Sequence, residues 1–165
     1  NTFSEQFELN FYKKFHSLKK LGCDYAYFLG VDSLSTHRFC TSENWLQIYH
    51  DEKIIRNDPL KRLAESNSSI VLPWSQVTFS SSSDKKAILC RKSFGLHNGL
   101  TITTKCNNKK YILALSTEES SHDLARYLLL EKSDILQLFI QNSMKLFDEY
   151  IIMTNFIFKE NIYVS

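Results

Sequence analysis

The chain has 165 residues, of which 43% are hydrophobic and 13% aromatic. That length suits one good core and is short for two. Its formal net charge is only +2 and its basic residues are scattered in pairs such as Lys13-Lys14, Lys85-Lys86 and Lys109-Lys110, so no strong field points to nucleic acid. Its 4 glycines leave hardly any material for a phosphate-binding loop, and no apolar run approaches a membrane span.

In chain order, Ser4 is placed to cap a first helix. Phe7, Phe11, Phe15 and Leu18 follow at helical spacing, and Gly22 ends the run. Asp24 to Val31 is aromatic-rich and alternates as a strand does. Asp32-Ser33 begins a turn, and Thr36 to Cys40 returns as a second strand. Glu43 to Asp51 reads as a short helix. Asp58 can cap the next one, with Pro59 in its first turn.

Ile70-Val71-Leu72 is a short strand, and Ser80 to Asp84 is a loop leading into a helix from Lys85 to Phe94. Leu100 to Cys106 and Lys110 to Ser116 are strands joined at Asn107-Asn108, a good hairpin turn. Ser120 or Ser121 caps a long helical region that reaches about Tyr150 with a break near Ser133. Its apolar stripe is Leu124, Leu128, Ile135, Leu138, Phe139 and Leu146. Helices before, between and after mostly hairpin-linked strands predict an α/β (α+β) fold. The expected form is a three-layer α-β-α sandwich around a largely antiparallel sheet of about five strands.

Catalytic and metal chemistry find little support. Cys23, Cys40, Cys90 and Cys106 lie far apart, without a Cys-x-x-Cys pair or a histidine at ligand spacing. They read as reduced thiols in a cytoplasmic protein with no metal and no cofactor. Ser121-His122-Asp123 is contiguous, whereas a catalytic triad is assembled from distant segments. It reads as a helix start, with Asp123 favouring the dipole. Asp51-Glu52 reads as a solvated pair at a helix end.

The informative region holds both tryptophans of the chain. Trp45 and Tyr49 are four residues apart, which puts them on one face of a helix. Asp58 and Trp74 follow. An indole donor, a phenol that donates or accepts, a carboxylate acceptor and a further indole can surround a small ligand that is part polar and part apolar. Taken singly, each has a plainer role: the aromatics as core, Asp58 as a helix cap.

Taken together, the order Trp45, three residues, Tyr49, eight residues, Asp58-Pro59 and later Trp74 resembles the autoinducer-binding domain of LuxR-type quorum-sensing regulators. Phe94-Gly95-Leu96-His97-Asn98-Gly99-Leu100-Thr101 looks like the family's Phe-Gly-x-x-x-Gly-x-Thr segment, and Tyr25-Ala26-Tyr27-Phe28 like its first strand. The resemblance covers about Phe7 to Tyr150.

It implies a ligand-sensing domain, not an enzyme, whose ligand is an N-acyl-homoserine lactone. By resemblance Trp45 donates to the lactone carbonyl, Tyr49 bonds the amide carbonyl, Asp58 takes the amide N–H, and Trp74 packs on the lactone ring. Ala26, Phe28 and Leu96 would line the acyl channel. Ala114 stands where family members usually carry a Ser or Thr that also bonds the amide carbonyl.

The whole of 1–165 is expected to be one such domain, about 4–152, with a short C-terminal extension and no helix-turn-helix domain. The expected partners are a small-molecule autoinducer and a second subunit, as a homodimer or a heterodimer with a LuxR-type regulator. DNA would be reached only through a domain absent from this chain, and a membrane not at all. Two alternatives stand beside this reading: a stand-alone, ligand-independent dimerisation partner or antagonist, and a sensor, GAF- or PAS-like, for a different small molecule.

Overall fold

The computed structural model describes residues 2–51 and 53–164, with side chains as far as Phe156. Asn1, Glu52 and Ser165 lie outside the described residues, and with Glu52 so does half of the Asp51-Glu52 pair.

Helix α1 (Glu5–Lys19) buries Phe11, Phe15 and Leu18 along one face. Ser4 occupies its N-cap position, but the hydroxyl makes no capping bond. Gly22 ends the turn that follows, at φ +89°, a conformation that costs a residue without Cβ nothing. Strands β1 (Tyr25–Val31) and β2 (Thr36–Cys40) then form a hairpin. In its turn the Asp32 carboxylate accepts the backbone N–H groups of Leu34 and Ser35, each at 2.8 Å.

Helix α2 (Glu43–Asp51), a short 3-10 turn (Ile54–Asn57) and α3 (Pro59–Ser66) follow. Asp58 caps α3 by accepting the Leu60 N–H at 3.0 Å, with Pro59 in the first turn as its fixed φ favours. After β3 (Ile70–Pro73) comes α4 (Ser82–Ser93). It begins three residues before the expected start because Ser81 accepts the Asp84 N–H, closing a cap inside the serine run.

Strands β4 (Asn98–Cys106) and β5 (Lys109–Thr117) pair through Asn107 and Asn108, at φ 51° and 62°. Two left-handed central residues give the hairpin turn that follows the twist of the strands.

The C-terminal helical region differs from expectation in two ways. Asp123, not Ser120 or Ser121, caps its start by accepting the Arg126 N–H at 3.3 Å. Helix α5 (Leu124–Arg126) then widens into a π turn (Tyr127–Glu131), and Lys132 leaves helical geometry before α6 (Ser133–Val164). This break resets the helical phase. Leu138, assigned to the buried stripe, is 57% exposed, whereas Leu136, Phe139, Ser143, Phe147 and Ile151 point inward.

All neighbouring strands are antiparallel, in the order β2-β1-β5-β4-β3. Against one face of this five-stranded sheet lie α1, α5 and α6, packed on Ala26, Phe28, Phe39, Leu100, Leu113 and Leu115. Helices α2, α3 and α4 cover the other face, around Tyr25, Cys40, Trp45, Leu60 and Trp74. The three-layer sandwich is therefore present. Among the described residues no helix is long and apolar enough to cross a membrane.

Gly99 lies where two layers meet. A Cβ there would run into the Leu115 carbonyl of β5 and press on the Trp74 ring. Gly99→Ala is expected to destabilise the domain by about 1–3 kcal/mol through overpacking, read as a lowered midpoint in thermal unfolding. An unchanged midpoint would mean that β4 and β5 separate locally without cost.

Candidate ligand pocket

A cavity of about 100 Å³ opens between the sheet and the helices α2 to α4. Strands supply Tyr25, Tyr27, Leu29, Thr101, Ile112 and Ala114, and helices or turns supply Trp45, Tyr49, Asp58, Trp74 and Arg91. The helical spacing of Trp45 and Tyr49 puts both rings on the inner side of α2, 5.2 Å apart. Trp74 is held from below: its indole N–H donates to the Thr101 hydroxyl at 2.9 Å.

Asp58 is the electrostatic centre. It is fully buried, and each of its oxygens already has two donors. One oxygen accepts the Leu60 N–H at 3.0 Å and an Arg91 N–H at 2.6 Å. The other accepts the Tyr49 hydroxyl and a second Arg91 N–H, both at 2.5 Å. An ionised carboxylate offers about four lone-pair sites, so protein groups use the whole acceptor capacity. Burial pushes the Asp58 carboxyl up, but the Arg91 charge and the hydrogen bonds from Arg91, Tyr49 and Leu60 together outweigh that and hold it below its ordinary 3.8.

Arg91 comes from α4 and is 11% exposed. Its guanidinium sits over three rings, 5.7 Å from Trp45, 5.6 Å from Tyr49 and 5.4 Å from Trp74. Each ring face attracts the cation. Burial and the neighbouring Asp58 charge both raise the Tyr49 phenol, so it stays a donor. Burial also pushes the Tyr27 phenol up, to about 12.

Of the residues singled out from the sequence, Trp45, Tyr49, Asp58, Trp74 and Ala114 meet at this cavity. Three others do not line it. Ala26 and Phe28 point to the opposite face of the sheet, into the core beneath α1 and α6. Their neighbours Tyr25, Tyr27 and Leu29 face the cavity instead. Successive residues of a strand alternate faces, so an error of one position moves every side chain to the other side. Leu96 is on the correct side but lines an adjoining crevice of about 240 Å³ with Val77, Phe79, Ile88 and Arg91.

A model of the autoinducer binding domain family matches residues 15–143. The chain belongs to that family. It is therefore an autoinducer-binding domain of the kind found in LuxR-type regulators, a family of ligand-sensing domains rather than enzymes. No match was found among curated proteins.

Solved structures of the same fold include SdiA in complex with octanoyl-rac-glycerol (TM-score 0.60, 15% identity, 90% of this chain and 60% of that one). Escherichia coli SdiA crystallised in space group P6522 gives a TM-score of 0.65 at 20% identity, over 87% of this chain and 63% of that one. The chain thus spans roughly three fifths of the length of these two relatives. CepR2 from Burkholderia cenocepacia, an N-acylhomoserine lactone dependent LuxR family transcription factor, gives 0.55 at 12% identity, over 88% of this chain and 93% of that one.

Arg91 went unnoticed in the sequence, and Tyr25, Tyr27 and Thr101, quoted there as parts of family-like segments, were not assigned to the site. For Arg91 a signal existed. Of the basic residues in α4, it falls three and four positions after Ile88 and Ala87, on their face of the helix. A cation on the buried face of a helix calls for a buried partner. In the autoinducer-binding domain that partner is Asp58.

Proposed function

We propose that this domain senses a small acyl ligand in the cavity between α2, α3, α4 and the sheet. Its first candidate ligand class is the N-acyl-homoserine lactones, and it would act as part of, or partner to, a LuxR-type transcription regulator. The observation that carries the reading is the convergence of Trp45, Tyr49, Asp58 and Trp74 on one cavity. Aromatic walls with a few placed polar groups are the usual make-up of a small-molecule site. Family membership and the acyl ligand of one structural relative, octanoyl-rac-glycerol on SdiA, support the same class. In this reading Trp45 donates to a ligand carbonyl, Tyr49 donates to another only by releasing the Asp58 carboxylate to which its single O–H is bonded, and Trp74 and Ala114 bound the head group.

One observation favours a second reading. With Arg91 in place, Asp58 has no free lone pair for a ligand amide. A domain closed in this way can be a ligand-independent dimerisation partner or antagonist.

Melting curves separate the two. A ligand that binds only the folded state stabilises it by about 2.7 kcal/mol at a hundredfold excess over its dissociation constant. A sensor is expected to melt several degrees higher with at least one member of a series of acyl-homoserine lactones and acyl glycerols. A midpoint that ignores every compound, long and short, would favour the ligand-independent partner.

A further inference from the structure

We propose that Arg91 sets the ligand class of this pocket. It closes Asp58 to ligands that must donate an N–H and selects acyl ligands whose head group offers only oxygen acceptors to protein donors. The inference rests on the ligand-sensing reading above.

A ligand amide N–H needs an acceptor on the cavity wall. Both oxygens of the buried carboxylate are already filled, two of the four bonds coming from Arg91. An N-acyl-homoserine lactone would therefore have to evict Arg91 or bury its own N–H unpaired, and a buried unpaired group is penalised. Eviction is opposed by the three ring faces that hold the guanidinium as well as by the carboxylate.

The same residue turns the site into a donor surface. A guanidinium carries five N–H bonds and no acceptor, and it keeps its proton in proteins. Two of those bonds go to Asp58, and among the described residues the other three have no partner. Because the Arg91–Asp58 pair is neutral overall, a neutral ester or hydroxyl oxygen can accept from Arg91 without bringing unpaired charge into the pocket.

Arg91 and Trp74 are also the two residues shared between the cavity and the adjoining crevice. The crevice has apolar walls at Val77, Phe79, Ile88 and Leu96. They suit an acyl chain whose head stops at the guanidinium.

The test compares two ligands with the same chain and the same ring, N-octanoyl-homoserine lactone (the lactone) and its analogue in which an oxygen replaces the amide N–H (the ester), so that they differ only in the donor. Binding is measured by calorimetry on the parent, Arg91→Ala and Arg91→Gln, with circular dichroism to establish that each variant is folded. The parent is expected to bind the ester at least tenfold more tightly than the lactone. Both variants are expected to gain at least tenfold for the lactone and to lose affinity for the ester. The glutamine variant keeps one amide donor for Asp58 and guards against loss of folding in the alanine variant.

A parent that binds the lactone as tightly as the ester overturns the inference and leaves ligand sensing intact, and that comparison needs no variant. Folded variants that keep the parent's order of preference also overturn it. If neither compound binds parent or variants, the ligand-sensing reading fails and this inference fails with it.

Discussion

Asp58→Ala is expected to destabilise the domain by about 3–5 kcal/mol, the range for removing one partner of a buried ion pair and leaving the other charge uncompensated. The variant strands the Arg91 guanidinium under three aromatic rings, leaves the Tyr49 hydroxyl without its acceptor, and removes the α3 cap. Urea unfolding measures the loss. A value near 1 kcal/mol is what a simple helix cap gives, and it would mean that Arg91 finds solvent once its partner is gone. The double change Asp58→Ala with Arg91→Leu is expected to be less damaging than the two single costs combined, because it removes both buried charges together.

The same pair fixes a pH dependence. Burial would raise the Asp58 carboxyl, but the Arg91 charge with the hydrogen bonds from Arg91, Tyr49 and Leu60 more than offsets it, so the folded-state value lies below the ordinary 3.8. A depressed folded value means that the stabilisation is complete above the unfolded value and is lost as pH falls through the folded one. The parent should therefore lose stability below about pH 3.8 more steeply than Asp58→Ala.

Phe147→Ala is expected to cost about 3–5 kcal/mol, the usual range for emptying a large aromatic site in a core. Phe147 is fully buried on α6 and fits against Gly30 of β1, where a Cβ would meet its ring. It also makes edge contacts with Phe3 and Tyr111, at 6.3 Å and 5.7 Å between ring centres. The ring thus ties the last helix to the middle of the sheet, and thermal unfolding should show the loss directly. A loss below about 1 kcal/mol would mean that neighbouring side chains collapse into the space.

Legibility of the sequence followed the local chemistry. Helix α2 and strand β2 have the bounds that their patterns predict, and the hairpin turns at Asn107-Asn108, because short-range signals decided each of them. The faces of β1 were not legible. In a three-layer sandwich a central strand is buried on both sides, so Tyr25, Tyr27 and Leu29 look as apolar as Ala26 and Phe28, and alternation carries no label for the cavity. The stripe on α6 failed at Leu138 because a π turn and Lys132 break the helical count upstream.

Trp45, Tyr49, Asp58 and Trp74 were legible as a group through their spacing, and the structure brings them together. For Arg91 its helix face signalled burial but not its partner, because Asp58 lies 33 residues earlier in the chain and only the fold brings α4 over it. The resemblance to the family drew attention to groups that would bind a lactone, and it carried no information about the cation that already holds one of them.

The most direct test of ligand sensing is mass spectrometry of small molecules released from the protein after expression with a mixture of acyl-homoserine lactones and acyl glycerols. The account predicts that one acyl compound stays with the parent at about one molecule per chain, as a small-molecule site of this kind requires, and is lost when Trp45 or Trp74 is replaced with Ala. A parent that releases no acyl compound, or that retains one equally well after both replacements, would contradict it.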